Sequence, residues 1–128
     1  VCYEAAYPGV IRRMAVNADV LVNVSNDGWF GDSTAPHQHL QIARLRTMET
    51  ARPMLRATNT GITAIIDHRG EIVSRGPQFE VTVVEARIDP RASLTPYVRM
   101  GDIPAIGAAA LLALLPYLFG MWRRRVGA

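Results

Sequence analysis

Lysine is absent from this chain. All of its basic side chains, 14 in number, are arginine, so chemistry that needs a lysine amine cannot be completed by these residues. Cysteine occurs once, at Cys2, which excludes an internal disulfide framework. A lone thiol does not by itself fix the redox compartment. Aromatic residues are sparse at 7%. The arginines are scattered except at Arg123 to Arg125, which leaves no basic stripe of the kind nucleic acid requires. The first residues carry no signal-peptide pattern. A length of 128 residues allows one modest domain.

What is abundant is apolar surface, 49% of residues, and much of it is local. Ile103 to Trp122 carries no charge. As a helix it would span roughly 30 Å, the thickness of a bilayer core. Tyr117 and Trp122 suit an interfacial position, and Arg123 to Arg125 follow at once. The excess of arginine on that flank predicts a cytoplasmic tail at 123–128 and places residues 1–100 on the opposite side. Ala105, Ala109 and Ala113 form a small-residue stripe that favours close helix packing. A buried core helix is the competing reading, given the alanines and Pro116.

Upstream of this run the pattern alternates between helix and strand signals. Residues 10–17 read as a short helix. Residues 20–25 are β-branched and nearly continuously apolar, which suits a strand buried on both faces. Asn26 to Asp32 form a loop. Pro36 opens a helix reaching Ala51, with Leu40, Ala43 and Met48 on its apolar stripe and Ile42 and Leu45 widening it. Pro53 stops it. Strands follow at 54–58, 62–67 and 71–75, the last two forming a hairpin across His68-Arg69-Gly70, and another at 81–88. This order predicts an α/β, or α+β, layered fold in which a helix covers one face of a sheet.

Several residues could carry chemistry. Cys2 has Glu4 two positions away; a lone cysteine is also an ordinary small core residue. The loop Asn26 to Gly31 follows a strand, where α/β proteins commonly bind ligands; an ordinary turn with Trp29 packed on the core competes with that. His37 and His39 are poorly spaced for a shared metal and have no evident third ligand, so no metal is expected. Glu49 stands one turn from both Arg46 and Arg52, the pattern of an ion-pair face. Arg56 falls inside a strand and calls for either a buried carboxylate or an anionic substrate.

Taken in order, Cys2-Tyr3-Glu4, Ser25 to Ser33, Pro36 to Leu40, Ala43 to Arg46, Arg52 to Ala64 and Leu94 to Tyr97 resemble the C-terminal part of the apolipoprotein N-acyltransferase family. That family lies within the nitrilase-like carbon–nitrogen hydrolase superfamily. The resemblance runs from Cys2 to the final helix. It implies the C-terminal half of an αββα sandwich at 1–100, a transmembrane helix at 103–122, and residence in the bacterial cytoplasmic (inner) membrane with residues 1–100 on the periplasmic side. It also implies catalysis by a glutamate base, a lysine and a cysteine. Cys2 takes the nucleophile's place, with Tyr3 and Glu4 as its supporting neighbours. The glutamate and lysine would lie upstream, so these residues alone are expected to be inert. Asn26, Trp29 and Phe30 fall in the loop expected to meet substrate. The implied reaction moves an acyl chain from a phospholipid to the N-terminal cysteine amine of a diacylated lipoprotein through a thioester, with no cofactor and no nucleic acid. Gly28 departs from the family pattern, where alanine is expected, and should loosen the turn. A nitrilase-type amidase acting on a small amide, or a non-catalytic membrane-anchored remnant, are the alternatives.

Overall fold

The computed structural model describes residues 3–126, with side chains described as far as Tyr117 in the last helix. Its elements, in chain order, are α1 (Pro8–Ala15), β1 (Leu21–Ser25), α2 (Ala35–Thr50), β2 (Met54–Thr58), β3 (Ala64–Ile66), β4 (Ile72–Arg75), α3 (Pro96–Met100) and α4 (Ile103–Val126), with short 3-10 turns at Tyr3–Ala6 and Gly28–Phe30. The sheet has the order β1-β2-β3-β4. β1 and β2 are parallel, with Leu21 opposite Met54, Asn23 opposite Arg56 and Ser25 opposite Thr58. A parallel pair needs a long crossover, and α2 supplies it. The β2–β3 and β3–β4 pairs are antiparallel. The mixed α/β character and the 62–75 hairpin thus follow the sequence reading, with shorter strands.

Proline and glycine-like punctuation sets the helix ends. Pro8 and Pro36 sit in the first turns of α1 and α2, where their missing N–H costs nothing. α2 ends on Ala51 in the left-handed region (φ 50°, ψ 37°), and Arg52 N–H donates to Thr47 O, closing the last turn before Pro53. Thr95 caps α3: its Oγ1 accepts from Val98 N–H at 3.1 Å and donates to Glu49 O at 2.6 Å.

The core is built from Ile11, Leu21, Leu40, Ala43, Met54, Ile62, Ala64 and Ile66. Three expectations fail around it. β1 is not buried on both faces: Leu21, Asn23 and Ser25 point inward, while Val22 and Val24 are 54% and 60% exposed, since Thr82 to Val84 border a cavity beside Val22 and Leu55 without closing over that side. α2 does not turn Met48 or Leu45 inward; both are exposed, and its buried stripe reads Pro36, His39, Leu40, Ala43, Arg46, Thr47 and Thr50. Thr47 and Thr50 are tolerated there because their hydroxyls bond back to Arg44 O and Arg46 O, each at 2.7 Å. Finally, residues 81–88 form no strand. Thr82 and Val84 lie against Gly76, where a Cβ would come within 2.5 Å of Thr82 Cγ2, but Val81 and Val83 remain exposed and no ladder forms. Alternation without a hydrogen-bonding partner leaves an extended segment.

Arg52 ties the far ends together. Fully buried, it donates from Nε to Ala18 O, from Nη1 to Ser93 O at 2.6 Å and from Nη2 to Ala15 O at 3.3 Å. It is therefore not part of the ion-pair face expected around Glu49, which pairs with Arg46 at 3.0 Å. Beyond α3, the described side chains of α4, Ile103 to Tyr117, are all exposed, so the buried-core-helix reading fails. Among the described residues no helix is long and apolar enough to cross a membrane. The side chains of Trp122 and Arg123 to Arg125 lie outside those described.

Candidate active site

The parallel pair ends at two loops that meet. Asn59 Nδ2 donates to Asn26 Oδ1 at 2.7 Å, Gly28 N–H donates to the same oxygen at 3.1 Å, and Asp27 N–H donates to Asn59 Oδ1 at 3.1 Å. An open cleft of about 500 Å³ lies here, lined by Val24, Ser25, Asn26, Ala57, Thr58 and Asn59. The carboxyl ends of adjacent parallel strands are where α/β proteins place ligands. At Gly28 a Cβ would meet Asn26 Oδ1 at 3.0 Å, so glycine leaves this tie between the loops unpressed.

Beneath the cleft is a buried polar network. Asp27 and Arg56 are 1% and 2% exposed. Arg56 Nη2 meets Asp27 Oδ2 at 2.7 Å, Nη1 donates to Asn23 Oδ1, and Nε donates to Ile62 O at 3.3 Å. Of the two partners open to Arg56 in the sequence, the buried carboxylate is the one found. Asp27 Oδ1 accepts from Ser25 Oγ at 2.7 Å and from His39 Nδ1 at 3.0 Å. A carboxylate only accepts, so His39 Nδ1 carries the proton in this pairing. Gly61 covers Asp27 so closely that a Cβ would lie 2.1 Å from Oδ2. A buried charge left without such partners would cost several kcal/mol, on the order of 3–5.

His39 connects this network to the aromatic residues above it. Its ring faces Phe30 edge-on at 6.4 Å and Tyr3 at 6.3 Å, and Tyr3 packs T-shaped on Tyr7 at 5.9 Å. Burial and then the Arg56 charge lower the His39 pKa, against the opposing pull of Asp27. The neutral imidazole is thereby favoured, and its Nε2 is buried with no hydrogen-bond partner among the described residues. A partly buried ion pair lies on the same helix: burial raises the Glu49 carboxyl even though Arg46 is 3.0 Å away, because desolvation outweighs that ion pair and Asp102 adds to the rise.

Of the candidates, Cys2 lies outside the described residues. Tyr3 and Glu4 sit in the turn Tyr3–Ala6, both exposed, with Glu4 O accepting from Tyr7 N–H at 2.9 Å. Phe30 is half-buried against His39. Trp29 is 88% exposed, so it is not packed on the core as an ordinary turn would have it. Tyr3 and Phe30 are thus gathered around one histidine, and Asn26 stands at the cleft. The site also includes Asp27, from the candidate loop itself, and His39, Asn59 and Gly61, which carry no such signal in the sequence. The signal available for Asp27 was the buried arginine on the next strand, which demanded a carboxylate.

A family model described as "Carbon-nitrogen hydrolase" matches residues 1–97. The chain is 50% identical over 110 residues to an apolipoprotein N-acyltransferase of Methylococcus capsulatus, covering 86% of this chain and 22% of the relative. It is 46% identical over 104 residues to one of Photobacterium profundum, with 80% and 20% covered. With one of Haemophilus influenzae it shares 39% identity over 127 residues, 98% of this chain and 24% of the relative. The chain therefore spans about a fifth to a quarter of the length of these relatives.

Proposed function

The chain belongs to the carbon–nitrogen hydrolase family, and from that we propose that it is the nucleophile-bearing part of an apolipoprotein N-acyltransferase. The observation that carries this reading is the identity of 39–50%, over most of the chain, with relatives so named. In this reading, residues 1–100 are the C-terminal part of a nitrilase-like sandwich. The segment 103–122 is its membrane anchor and 123–128 a cytoplasmic tail, with the catalytic part on the periplasmic side of the bacterial inner membrane. The charge-free run and the exposure of every side chain from Ile103 to Tyr117 support an apolar surround for that helix.

The chemistry is a two-step acyl transfer. The Cys2 thiolate attacks the ester carbonyl of a phospholipid, its proton having gone to a glutamate base supplied from outside these residues. The tetrahedral oxyanion is held by Tyr3 N–H and by a lysine that these residues do not contain. Collapse expels a lysophospholipid, which takes up the proton, and leaves a thioester on Cys2. The α-amine of a diacylated lipoprotein's N-terminal cysteine then attacks the thioester, forming the amide and releasing the thiol. Glu4 shapes the turn beside Cys2. Asn26 borders the substrate cleft, and the exposed Trp29 with Phe30 forms an apolar mouth that keeps water from the thioester.

In the full-length protein Cys2→Ser is expected to abolish the thioester. Intact-protein mass spectrometry after exposure to phospholipid reads it directly, and a normal acyl adduct in that variant would overturn the assignment of Cys2. Turnover of a small soluble amide in preference to phospholipid would replace the acyltransferase reading with an amidase.

A further inference from the structure

Two short turns, Tyr3–Ala6 and Gly28–Phe30, carry four of the candidate site residues: Tyr3, Glu4, Trp29 and Phe30. Neither is held by a strand ladder, and Tyr3 and Trp29 are both exposed. The buried residue between them is His39, with Tyr3 and Phe30 on its ring. Among the described residues its Nε2 has no hydrogen-bond partner, and the bond from Nδ1 to Asp27 orients the ring. Asp27 in turn is fixed by Arg56 from β2 and Ser25 from β1. Asp27 thus joins the parallel strand pair to an imidazole that meets an aromatic ring from each turn, in addition to the backbone bond from Phe30 N–H to Asp27 O.

We propose that His39 is a positioning residue for acyl transfer: clamped by Asp27, it sets the Tyr3 turn and the Trp29–Phe30 turn at a fixed separation. Tyr3 follows Cys2 directly in the chain, so this separation governs where the oxyanion donor stands relative to the apolar mouth. The proposal rests on the acyl-transfer reading above for its substrate, but not for its geometry. His39 touches no reacting atom in this role, and no proton passes through it.

Two amide replacements separate the ring's two nitrogens. Asn at 39 can place an N–H near the Nδ1 position and keep the bond to Asp27; Gln carries its amide further out, toward Nε2, and loses that bond. The assay is the burst of p-nitrophenolate as p-nitrophenyl acetate acylates Cys2 in the full-length protein, with acyl transfer from phosphatidylethanolamine vesicles to a diacylated peptide measured alongside. We expect His39→Gln to slow acylation about tenfold or more, as misplacement of a site does, with the half-saturating donor concentration unchanged. His39→Asn should stay within about threefold of wild type, the mark of a lost interaction rebuilt. Wild-type rates in His39→Gln would overturn the proposal. So would equal losses in both variants, or losses that follow the thermal midpoints of the two proteins instead of the Asp27 bond. A wild-type nitrophenyl burst without phospholipid transfer would remove the acyl-transfer reading and leave the positioning role to be decided by the burst. No burst in wild type would overturn both.

Discussion

The parallel strands β1 and β2 have two faces of opposite character. Toward α2 they present Leu21, Asn23, Ser25, Met54 and Arg56, all buried; away from it they present Val22, Val24 and Leu55, all exposed. The hidden face is polar toward the carboxyl ends of the strands, and the open face is apolar. Hydrophobicity alone would have assigned them the other way round. The difference teaches that the inner face is shaped by a site: its polar atoms satisfy one another and hold the loops above. The outer face has no such work, and its valines fit the cover that the second layer of an αββα sandwich would provide.

The largest expected effect breaks the inner face. Asp27→Ala removes the carboxylate that faces the buried Arg56 guanidinium, and a loss of about 3–5 kcal/mol is expected on denaturant unfolding of the full-length protein. A cost below about 1 kcal/mol would mean that water reaches the pair. Val24→Asp questions the outer face. Covered by a second layer, it should cost on the order of 2–3 kcal/mol, the scale for a polar group buried without partners. On a face left open to water it should fall within the roughly 0.5 kcal/mol typical of surface changes. We expect the larger figure in the full-length protein.

Titration sharpens the contrast further. The folded His39 has a pKa below the ordinary 6.5. Its unfolded form therefore binds protons more readily, and the stability it secures is complete above pH 6.5 and is lost as pH falls toward its lowered value. Glu49 runs the other way. Its raised carboxyl favours the folded state below its ordinary 4.5, and that contribution is lost as pH rises through the raised value. Melting curves from pH 7 to 5 should therefore show a decline that His39→Asn flattens; an unchanged slope in that variant would place the titration elsewhere. The smallest effect expected lies outside both faces. Ala51 holds φ 50° at the end of α2, and Ala51→Gly should stabilise by about 0.5–1 kcal/mol by relieving that strain. A loss in thermal midpoint would show that Ala51 is not strained there.

Much of this architecture is legible in the residues. The β-branched run before Asn26, the prolines at 36 and 53 and the turn at His68 to Gly70 each announce an element, because local backbone preferences act within a few residues. Arg56 also announces a buried partner. What could not be read was set by register and packing across long separations. Asp27 is paired with Arg56 only because β1 and β2 lie side by side in parallel. His39, considered alone, invites only a metal test. Its work comes from Asp27 below it and two aromatic turns above. Residues 81–88 alternate as a strand should, but they pair with neither open edge of the sheet, at β1 or at β4. The polar stripe of α2 misled for a related reason: Thr47 and Thr50 satisfy their own hydroxyls and pass as core, while Met48 and Leu45 face out.

Arg52 carries a consequence for the order in which the chain assembles. Its three carbonyl partners belong to residues 15, 18 and 93, and burying a guanidinium before all three have arrived would be costly. The arginine therefore penalises partly folded forms in which the long segment after β4 has not yet returned to the end of α1. Such a group raises the free energy of intermediates more than it lowers that of the native state. It makes the folding of two distant stretches of chain a single cooperative event.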